Sequence, residues 1–472
     1  RADQGGDPEA VREAQRRRFK LDGLVDEVLE VDARWRARVT SKNQLQSELS
    51  ALQRGPLAEK KKRREPCEAE LQAADALKAR LRAAEEELLA LEAERTERLG
   101  RLGNLLDASV PVSQDEDGDG VVIGLDPLPG DVGLPCPLRS LQCPHPGRGA
   151  LQHDELLWRI GGYEPERGQR VAGHRGYFLR DVGVMLNQAL LSFATQFLRD
   201  RGYCLIQPPY FMKREVMASV AQLADFDEQL FKVVASTDAG DGAGDRYLIA
   251  TSEQPLCAFH AKEVIEEDQL PLRYAGVSPC FRKEVGKMTK DIRGIFRVHQ
   301  FEKVEQFCIT RGDVQESSAM FQQMLKCAED FHKALGIPYR VVRVVSGELN
   351  DAATMKCDLE GWFSGQAAYR ELVSCSNCTD FQSRALDIRH RSGKDGQKKL
   401  PHVHMLNSTL TAAGRGMCCV LENYQTPEGV RVPEALVPFM GGVTFMPFVR
   451  PPRTAEGDAR GARASGSSAS GH

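Results

Sequence analysis

Residues 295–307 carry the side-chain types that a nucleotide site needs. Successive side chains of a strand point to opposite faces, so a strand here would place six charged or aromatic residues on one face. These residues are Arg297, His299, Phe301, Lys303, Glu305 and Phe307. An arginine can donate paired N–H groups to phosphate oxygens, an aromatic ring can stack on a base, and a carboxylate can hold an ammonium or hydroxyl group. Alternation alone leaves two interpretations open, a nucleotide pocket and a solvated strand laced with ion pairs.

The segment before this strand could provide its antiparallel partner. Arg282 and Glu284 share a parity there, and residues 286–294 form a polar stretch suited to a loop between two strands. Such a hairpin would bring an arginine to each end of the pocket.

Three separated segments resemble the motifs of one enzyme family. The run FRKE at 281–284, a loop, and RGIFRVHQFEKVEQF at 293–307 are similar to motif 2 of class II aminoacyl-tRNA synthetases, in its seryl-tRNA synthetase form. Residues 371–384 (ELVSCSNCTDFQSR) also match that family, and residues 406–426 resemble its motif 3. The resemblance runs from about residue 5 to about residue 451 and is strongest to the eukaryotic cytosolic form.

The resemblance implies an α+β fold with a class II synthetase catalytic domain, built on an antiparallel β-sheet flanked by helices. A long antiparallel two-helix coiled-coil arm would precede this domain. The expected domains are a tRNA-binding helical arm at 1–110, a linker and lead-in at 111–165, the catalytic domain at 166–451 and a disordered tail at 452–472. The tail is predicted from its composition, because it is rich in Gly, Ser, Ala and Arg without periodicity.

The arm is also predicted from hydrophobic periodicity. Residues 24–52 and 68–104 read as two long polar helices, separated by Gly55, Pro56 and the basic run 60–64. Apolar residues of the second helix keep the 3-4 spacing of a coiled-coil seam. They are Ala74, Leu77, Leu81, Ala84, Leu88 and Leu91. A hairpin of this length would extend by about 40–55 Å. By pattern alone it could be a dimerisation coiled coil or a spacer, whereas the resemblance implies that it grips tRNA.

The resemblance implies roles for the matching residues in ATP binding. Arg282 would hold the α-phosphate, Arg297 and Arg415 the outer phosphates, while Phe301 would stack on adenine and Glu284 contact its amino edge. The other expected ATP-binding residues are Lys283, Val298, His299, Gln300, Glu371, Leu372, Val373 and Ser374.

Serine and a metal ion are the other expected ligands. The resemblance implies that Glu371 and Ser374 hold ATP-bound Mg²⁺, and both are hard oxygen donors that suit this ion. Strict alternation puts these two residues on opposite faces of a strand, so their joint use requires a bulge or a strand end. The serine-binding residues implied by the family are Thr251, Ser252, Glu253, Glu305, Asn407 and Thr409.

Some of these residues also have purely structural interpretations. Thr251 or Ser252 could cap a helix, with Glu253 complementing its dipole. The pair Cys375 and Cys378 with His402 and His404 is a weak zinc pattern, because HxH is not the usual second half of a zinc finger.

The acidic run at 115–120, followed by Asp126, resembles a calcium loop. Pro127 and Pro129 stand where the exiting helix would start, which favours an acidic linker.

Composition adds constraints on partners and compartment. The 472 residues include 63 basic and 67 acidic side chains, so any nucleic-acid surface must be local. The 13 cysteines are scattered and predict unpaired thiols in a reducing compartment. No apolar run reaches the ~18 residues of a membrane span, and the first residues are not signal-like, although a chain that begins at Arg1 leaves a removed leader open. We expect a cytoplasmic protein without membrane attachment.

The helix and strand at 181–209, ending at Pro209, resemble motif 1, which implies a homodimer. The implied activity is attachment of serine to serine tRNA, and also to selenocysteine tRNA, with ATP as substrate. Two alternatives remain at this level. One is another class II synthetase, and the other is an inactive or moonlighting paralogue that serves as an RNA-binding or scaffold protein.

Overall fold

The computed structural model describes residues 6–126, 136–137, 149–221, 229–234, 244–285, 293–391 and 400–453. The chain divides into two compact units, Arg1–Leu105 and Leu106–His472. Most of the predicted 286–294 loop and nearly all of the predicted tail lie outside the described residues. The domain boundaries inferred from the sequence stay predictions.

The first unit is helical. Its helices are α1 Pro8–Arg17, α2 Leu24–Arg54, α3 Pro56–Arg63 and α4 Glu68–Leu99. The two long helices are those predicted, although α4 ends five residues earlier than expected. Ala74 and Ala84 of the predicted seam are buried, and α4 packs along α2. The basic run, expected in the break between the helices, lies mostly in α3, which begins at a proline suited to a first helical turn.

The second unit contains the remaining helices and all the described strands. Its helices are α5 Glu116–Asp119, α6 His153–Arg159, α7 Pro165–Ala172, α8 Val182–Arg199, α9 Arg214–Met217, α10 Glu253–Cys257, α11 Val314–Ala334, α12 Phe381–Leu386 and α13 Ala413–Asn423, with 3₁₀ turns at Glu267–Gln269, Ser346–Glu348 and Glu434–Met440.

A nine-stranded sheet organises this unit. Its strands are β1 Val121–Asp126, β2 Cys136–Pro137, β5 Cys204–Ile206, β10 Leu272–Phe281, β11 Gln300–Thr310, β12 Tyr339–Arg343, β13 Met355–Phe363, β14 Ala368–Thr379 and β16 His404–Ala412. Their order across the sheet is β2-β1-β12-β13-β14-β16-β11-β10-β5. Every neighbouring pair is antiparallel except β5 and β10. The α+β antiparallel architecture is therefore confirmed.

Smaller strands form separate ribbons. These are β3 Tyr163–Glu164 with β4 Phe178–Leu179, β6 Phe211–Lys213 and β7 Lys232–Val233 flanking β8 Arg246–Leu248, β9 Val264–Glu266 with β15 Arg389–Arg391, and β17 Gln425–Thr426, β18 Gly429–Arg431 and β19 Phe445–Pro447.

The two faces of β11 have different roles. Val304 and Cys308 are fully buried in the main core, where α8, α11 and α13 also pack. Gln306 is on the same face, and its Nε2 donates to the carbonyl of Met324 in α11 at 3.2 Å. The opposite face carries Phe301, Lys303 and Glu305, as a period of two requires.

One prediction about this strand was wrong. Pairing with β10 begins at Gln300, because residues 293–299 form turns and bends rather than extended strand. Alternation in that segment was therefore not evidence of a strand, and Arg297 reaches the site from a turn.

The acidic run at 115–120 forms a single helical turn that leads into β1, and β1 pairs with β12. It has no helix–loop–helix geometry. Among the described residues, which include those of the CxxC and HxH patterns, no group of three or more His, Cys, Asp and Glu side chains is arranged to hold a metal ion.

Eleven of the cysteines in the described parts of the chain are free thiols, as predicted for them. In those same parts, no helix is both long and apolar enough to cross a membrane.

Candidate active site

A polar cavity of about 400 Å³ opens where β11, β14 and β16 meet the start of α13. Most of the residues that the motifs predicted line it. They are Thr251, Glu253, Arg282, Glu284, Arg297, Val298, Phe301, Glu305, Glu371, Leu372, Ser374, Asn407, Thr409 and Arg415. Residues separated by more than 160 positions are thus brought to one concave surface by the sheet.

A bulge in β14 brings Glu371 and Ser374 to the same wall. Val373 pairs with Leu359 and Glu371 pairs with Glu360, so Leu372 is an extra residue on this strand. The extra residue shifts the alternation by one, and both Glu371 and Ser374 line the cavity. The structure therefore contains the bulge that the joint use of Glu371 and Ser374 required.

A second bulge adjusts β16. Thr409 pairs with Glu305 and Thr411 pairs with Val304, which leaves Leu410 as the extra residue. Asn407 and Thr409 line the cavity before the bulge, and Ala412 lines it afterwards. The wall therefore continues from β16 into the first turn of α13.

Carboxylates hold two of the predicted arginines at one end of the cavity. Arg297 Nη1 donates to Glu284 Oε2 at 3.1 Å, and Arg415 Nη1 donates to Glu371 Oε2 at 3.1 Å. Arg415 is held further by the carbonyl of Phe296, which accepts from its Nε at 3.4 Å. The ring of Phe296 lies 4.8 Å from the guanidinium carbon, within cation–π range.

Glu371 is strongly biased toward its charged form. Desolvation of the Glu371 carboxylate raises its pKa, but the positive charges of Arg415 and then Lys356 lower the pKa by more. The pKa of Glu371 therefore lies well below its usual range. The side chain is therefore a carboxylate over the physiological pH range, as a cation ligand must be.

The other end of the cavity is a linked set of buried polar groups. Glu253 Oε1 accepts from Gln382 Nε2 at 2.9 Å and from Asn407 Nδ2 at 3.0 Å. Lys303 forms an ion pair with Glu305, and its Nζ donates to Thr251 Oγ1 at 2.8 Å. Burial first, and the nearby charge of Glu305 second, raise the pKa of Glu253 to about 7.

Five predicted residues do not line the cavity. They are Ser252, Lys283, His299, Gln300 and Val373. Val373 is buried in the core on the opposite face of β14, and Gln300 is exposed at the start of β11. The ring Nδ1 of His299 lies 2.9 Å from the carbonyl of Arg282 and so braces the hairpin. The backbone N–H of Lys283 donates to the carbonyl of Gln229, a residue that lines the cavity, at 2.9 Å.

Ser252 does not line the cavity, unlike its neighbours Thr251 and Glu253. Its side chain is fully buried, and a Cβ built on Gly276 would lie 2.6 Å from its Oγ, so the hydroxyl fills the space that this glycine leaves. Ser252 occupies the N-cap position of α10 without a side-chain cap bond, whereas Thr251 Oγ1 accepts from the Glu253 N–H at 3.3 Å.

Several lining residues were not assigned from the sequence. They include Phe296, Lys303, Glu348, Asn350 and Lys356. Lys303 had a detectable signal, because its parity already placed it beside Phe301 and Glu305. For Lys356 the motifs gave no signal. This residue lies on β13 and reaches the cavity wall because it pairs with Ser376 of β14.

Comparison with known proteins gives consistent matches over the whole chain. The model of the tRNA synthetase class II core domain (G, H, P, S and T) matches residues 234–424, and the model of the seryl-tRNA synthetase N-terminal domain matches residues 3–106. Cytoplasmic serine–tRNA ligase of Arabidopsis thaliana is 46% identical over 97% of each chain. The cytoplasmic serine–tRNA ligase of Homo sapiens is 45% identical over 96% of this chain and 90% of its own.

Solved structures agree with the sequence matches. Cytoplasmic serine–tRNA ligase of Naegleria fowleri in complex with AMP superposes with a TM-score of 0.78 at 42% identity, covering 95% of this chain and 98% of that one. Seryl-tRNA synthetase of Pyrococcus horikoshii complexed with ATP gives a TM-score of 0.78 at 36% identity, over 94% and 98% of the two chains.

Proposed function

The chain belongs to the seryl-tRNA synthetase family of class II synthetases, and on that premise we propose how its residues perform the reaction. It is an ATP-dependent serine–tRNA ligase. The carboxylate of serine attacks the α-phosphorus of ATP and pyrophosphate leaves. A terminal ribose hydroxyl of tRNA then attacks the carbonyl of seryl-adenylate and AMP leaves. One observation carries this proposal. A single cavity is lined by residues for both substrates, namely Arg282, Arg297, Arg415 and Phe301 for ATP and Glu253, Glu305 and Thr409 for serine.

The arginine end of the cavity binds ATP. Arg282 neutralises the α-phosphate, and Arg297 and Arg415 bind the outer phosphates, which stabilises charge as pyrophosphate departs. Phe301 stacks on adenine and Glu284 contacts its amino edge. The carboxylate partners of Arg297 and Arg415 support these roles, because they hold the guanidinium groups in place before substrate arrives.

Glu371 and Ser374 would hold ATP-bound Mg²⁺. The donor set fits this ion, because both are oxygen ligands on one wall of the cavity and Mg²⁺ commonly takes only one or two protein ligands. When bound, the ion would neutralise phosphate charge.

The Glu253 end of the cavity binds serine. Glu253 receives its ammonium group, Glu305 and Thr409 are the partners of its hydroxyl group, and Thr251 and Asn407 complete the pocket. Rejection of alanine follows from buried polar groups that only a hydroxyl would satisfy.

The helical unit binds the tRNA. Exposed cations of α3 and its C-cap support this role, because such side chains bind backbone phosphates without reading sequence. They are Lys61, Lys62, Arg63 and Arg64. Both serine tRNA and selenocysteine tRNA are proposed acceptors. The cytoplasmic compartment is proposed from the names of the relatives.

A homodimer forms through the region that ends at Pro209. β5 is an edge strand of the large sheet, and Leu205 and Phe211 expose 39% and 51% of their surfaces beside it. An edge strand with apolar neighbours favours pairing with a second copy. Sedimentation analysis tests this, and a monomer at micromolar concentration would contradict it.

Serine-dependent exchange between ATP and pyrophosphate tests the central proposal. Exchange should require serine and should be negligible with alanine or without amino acid. Charging of serine tRNA should follow in the same preparation. A folded protein without exchange would instead support the inactive RNA-binding paralogue.

A further inference from the structure

Lys303 is a buried cation that joins two elements of the serine pocket. It lies on β11 with 6% of its surface exposed, and a lysine at such a position requires partners. One partner is Glu305 on the same strand, and the other is Thr251 Oγ1, which accepts at 2.8 Å from the segment before α10. A single ammonium group therefore fixes the position of two expected serine ligands.

Lys303 and Glu253 line the same cavity. This carboxylate is surrounded by Gln382 of α12 and Asn407 of β16, which donate to it, and by the like charge of Glu305 on β11. Cys257 lies one turn along the same helix, where burial first, and the charge of Glu253 second, raise the pKa of the thiol. Burial, and then the like charge of Glu305, raise the pKa of Glu253 to about 7, while the hydrogen bond from Gln382 and then the positive charges of Lys303 and Arg282 act to lower it.

Arg282 and Lys303 differ in whether their charge can still act on Glu253 once ATP is bound. Arg282 is the expected ligand of the α-phosphate, so bound ATP engages its charge. Lys303 then remains as the cation that balances Glu253 and Glu305 at the serine end. With the pKa of Glu253 near neutrality, loss of one nearby positive charge changes which form is present at physiological pH.

We propose that Lys303 is a positioning residue of the serine pocket, which holds Thr251 and Glu305 in place and keeps Glu253 ionised for the ammonium group of serine. This inference rests on the proposed function of the same cavity and adds a residue to which that function assigned no part.

The test is the pH dependence of serine activation in the full-length chain. In wild-type enzyme, kcat/KM for serine should fall as pH drops through the pKa of Glu253, because protonation removes the charge that the ammonium group needs. Lys303→Met should move this acid limb upward by at least ~1 pH unit, since an opposite charge nearby is worth ~1–3 units. The KM for serine should rise at least ~5-fold at pH 7, because such a shift lowers the ionised fraction of Glu253 from about one half to about one tenth, while the KM for ATP changes much less.

Three further variants separate charge from packing. Lys303→Arg should keep the acid limb near its wild-type position even if the KM for serine rises. Lys303→Gln can hydrogen-bond to Thr251 without a charge, so it should shift the limb as Lys303→Met does, and it replaces that variant if the apolar side chain prevents folding. Lys326→Met removes an exposed lysine of α11 that pairs with Asp330 at 2.7 Å, and should leave both quantities unchanged.

A double variant identifies the titrating group. In Glu253→Gln the acid limb should disappear, and adding Lys303→Met should produce no further pH shift. An unmoved limb in both neutral Lys303 variants, or equal increases in the KM values for serine and ATP, would overturn the inference. Absence of serine-dependent exchange in the wild-type chain would instead overturn the proposed function.

Discussion

The helical arm and the active-site cavity both contain ion pairs, and one pair from each differs clearly in burial. Lys42 and Glu85 join α2 to α4 at 3.0 Å, and their side chains are 35% and 48% exposed. Arg297 and Glu284 in the cavity are 14% and 13% exposed. Exposed pairs contribute about 0–1 kcal/mol to stability, whereas breaking a buried pair by removing one partner costs about 3–5 kcal/mol.

This difference separates charge that keeps a surface soluble from charge that is held ready for a ligand. The arm derives its stability from small and apolar residues along the seam, such as Ala84, Leu45 and Leu49. The cavity retains ion pairs at a folding cost, because fixed charges stabilise developing charge without reorganising. Removing charges in the cavity should therefore affect catalysis strongly, while single charges of the arm should matter little for folding.

Deletion of the first compact unit, Arg1–Leu105, gives the largest expected effect. Charging of serine tRNA should fall on the order of 10³-fold or more, because phosphate contacts supply much of tRNA affinity. Serine-dependent exchange should change little, since the cavity is lined entirely by residues of the second unit. Parallel measurement of both activities checks this. Equal loss of the two, or loss of neither, would contradict the separation.

Arg415→Ala should lower exchange by at least ~100-fold with the fold intact, the scale of losing one preorganised charge at a reacting centre. The substitution also leaves Glu371 without its principal cation, so the pKa of that carboxyl should rise. Arg384→Ala is a matched control, because it removes an exposed arginine whose partner is Asp380 on the surface. Near-normal exchange in Arg415→Ala would remove Arg415 from the site.

The sequence predicted the arm and the cavity by different means. Periodicity alone predicted α2 and α4, since a long seam repeats its signal many times. The cavity depended on matched motifs, and alternation correctly selected Phe301, Lys303 and Glu305. Assigning every residue of a short motif to the site was less accurate, because in a strand only alternate residues face the cavity. This explains why Gln300 and Val373 were predicted at the site but lie outside it.

Features that depend on pairing between strands could not be located from the sequence, although the joint use of Glu371 and Ser374 already required a bulge or a strand end in β14. The bulges at Leu372 and Leu410 change which residues face the cavity, and each is defined by the register of a neighbouring strand. Lys356 likewise enters the wall through its place in the sheet. The prediction of an extended conformation at 295–299 was wrong for a related reason: neither β10 nor β16 pairs with those residues.

Thr409→Ala tests whether the cavity reads the hydroxyl group of serine. A site built around a hydroxyl rejects the analogue that lacks it by up to ~10⁴–10⁵-fold. The variant should slow serine activation far more than residual alanine activation, so the ratio of their kcat/KM values should narrow. Ser192→Ala, on α8 away from this cavity, is the control. Slowing of both amino acids by one factor would mean that Thr409 only shapes the pocket.

Threonine should be rejected less strongly than alanine in the wild-type enzyme. It retains the hydroxyl group and adds a methyl group, so only the packing of the pocket walls excludes it. Measured kcat/KM values for serine, alanine and threonine give this order directly. Stronger rejection of threonine than of alanine would mean that steric exclusion, rather than unsatisfied polar groups, sets the specificity.

Lys42→Met gives the smallest expected effect and tests the arm side of the comparison. The substitution removes one partner of the exposed pair with Glu85, and its methylene stem can still cover the adjacent helix. The free energy of unfolding should change by less than ~1 kcal/mol in urea titration, and serine-dependent exchange should not change. Glu85→Gln should behave in the same way, because each side chain can be solvated alone. A loss above ~2 kcal/mol in either variant would show that the pair acts like a buried one, and the distinction between the charges of the arm and those of the cavity would no longer follow from exposure.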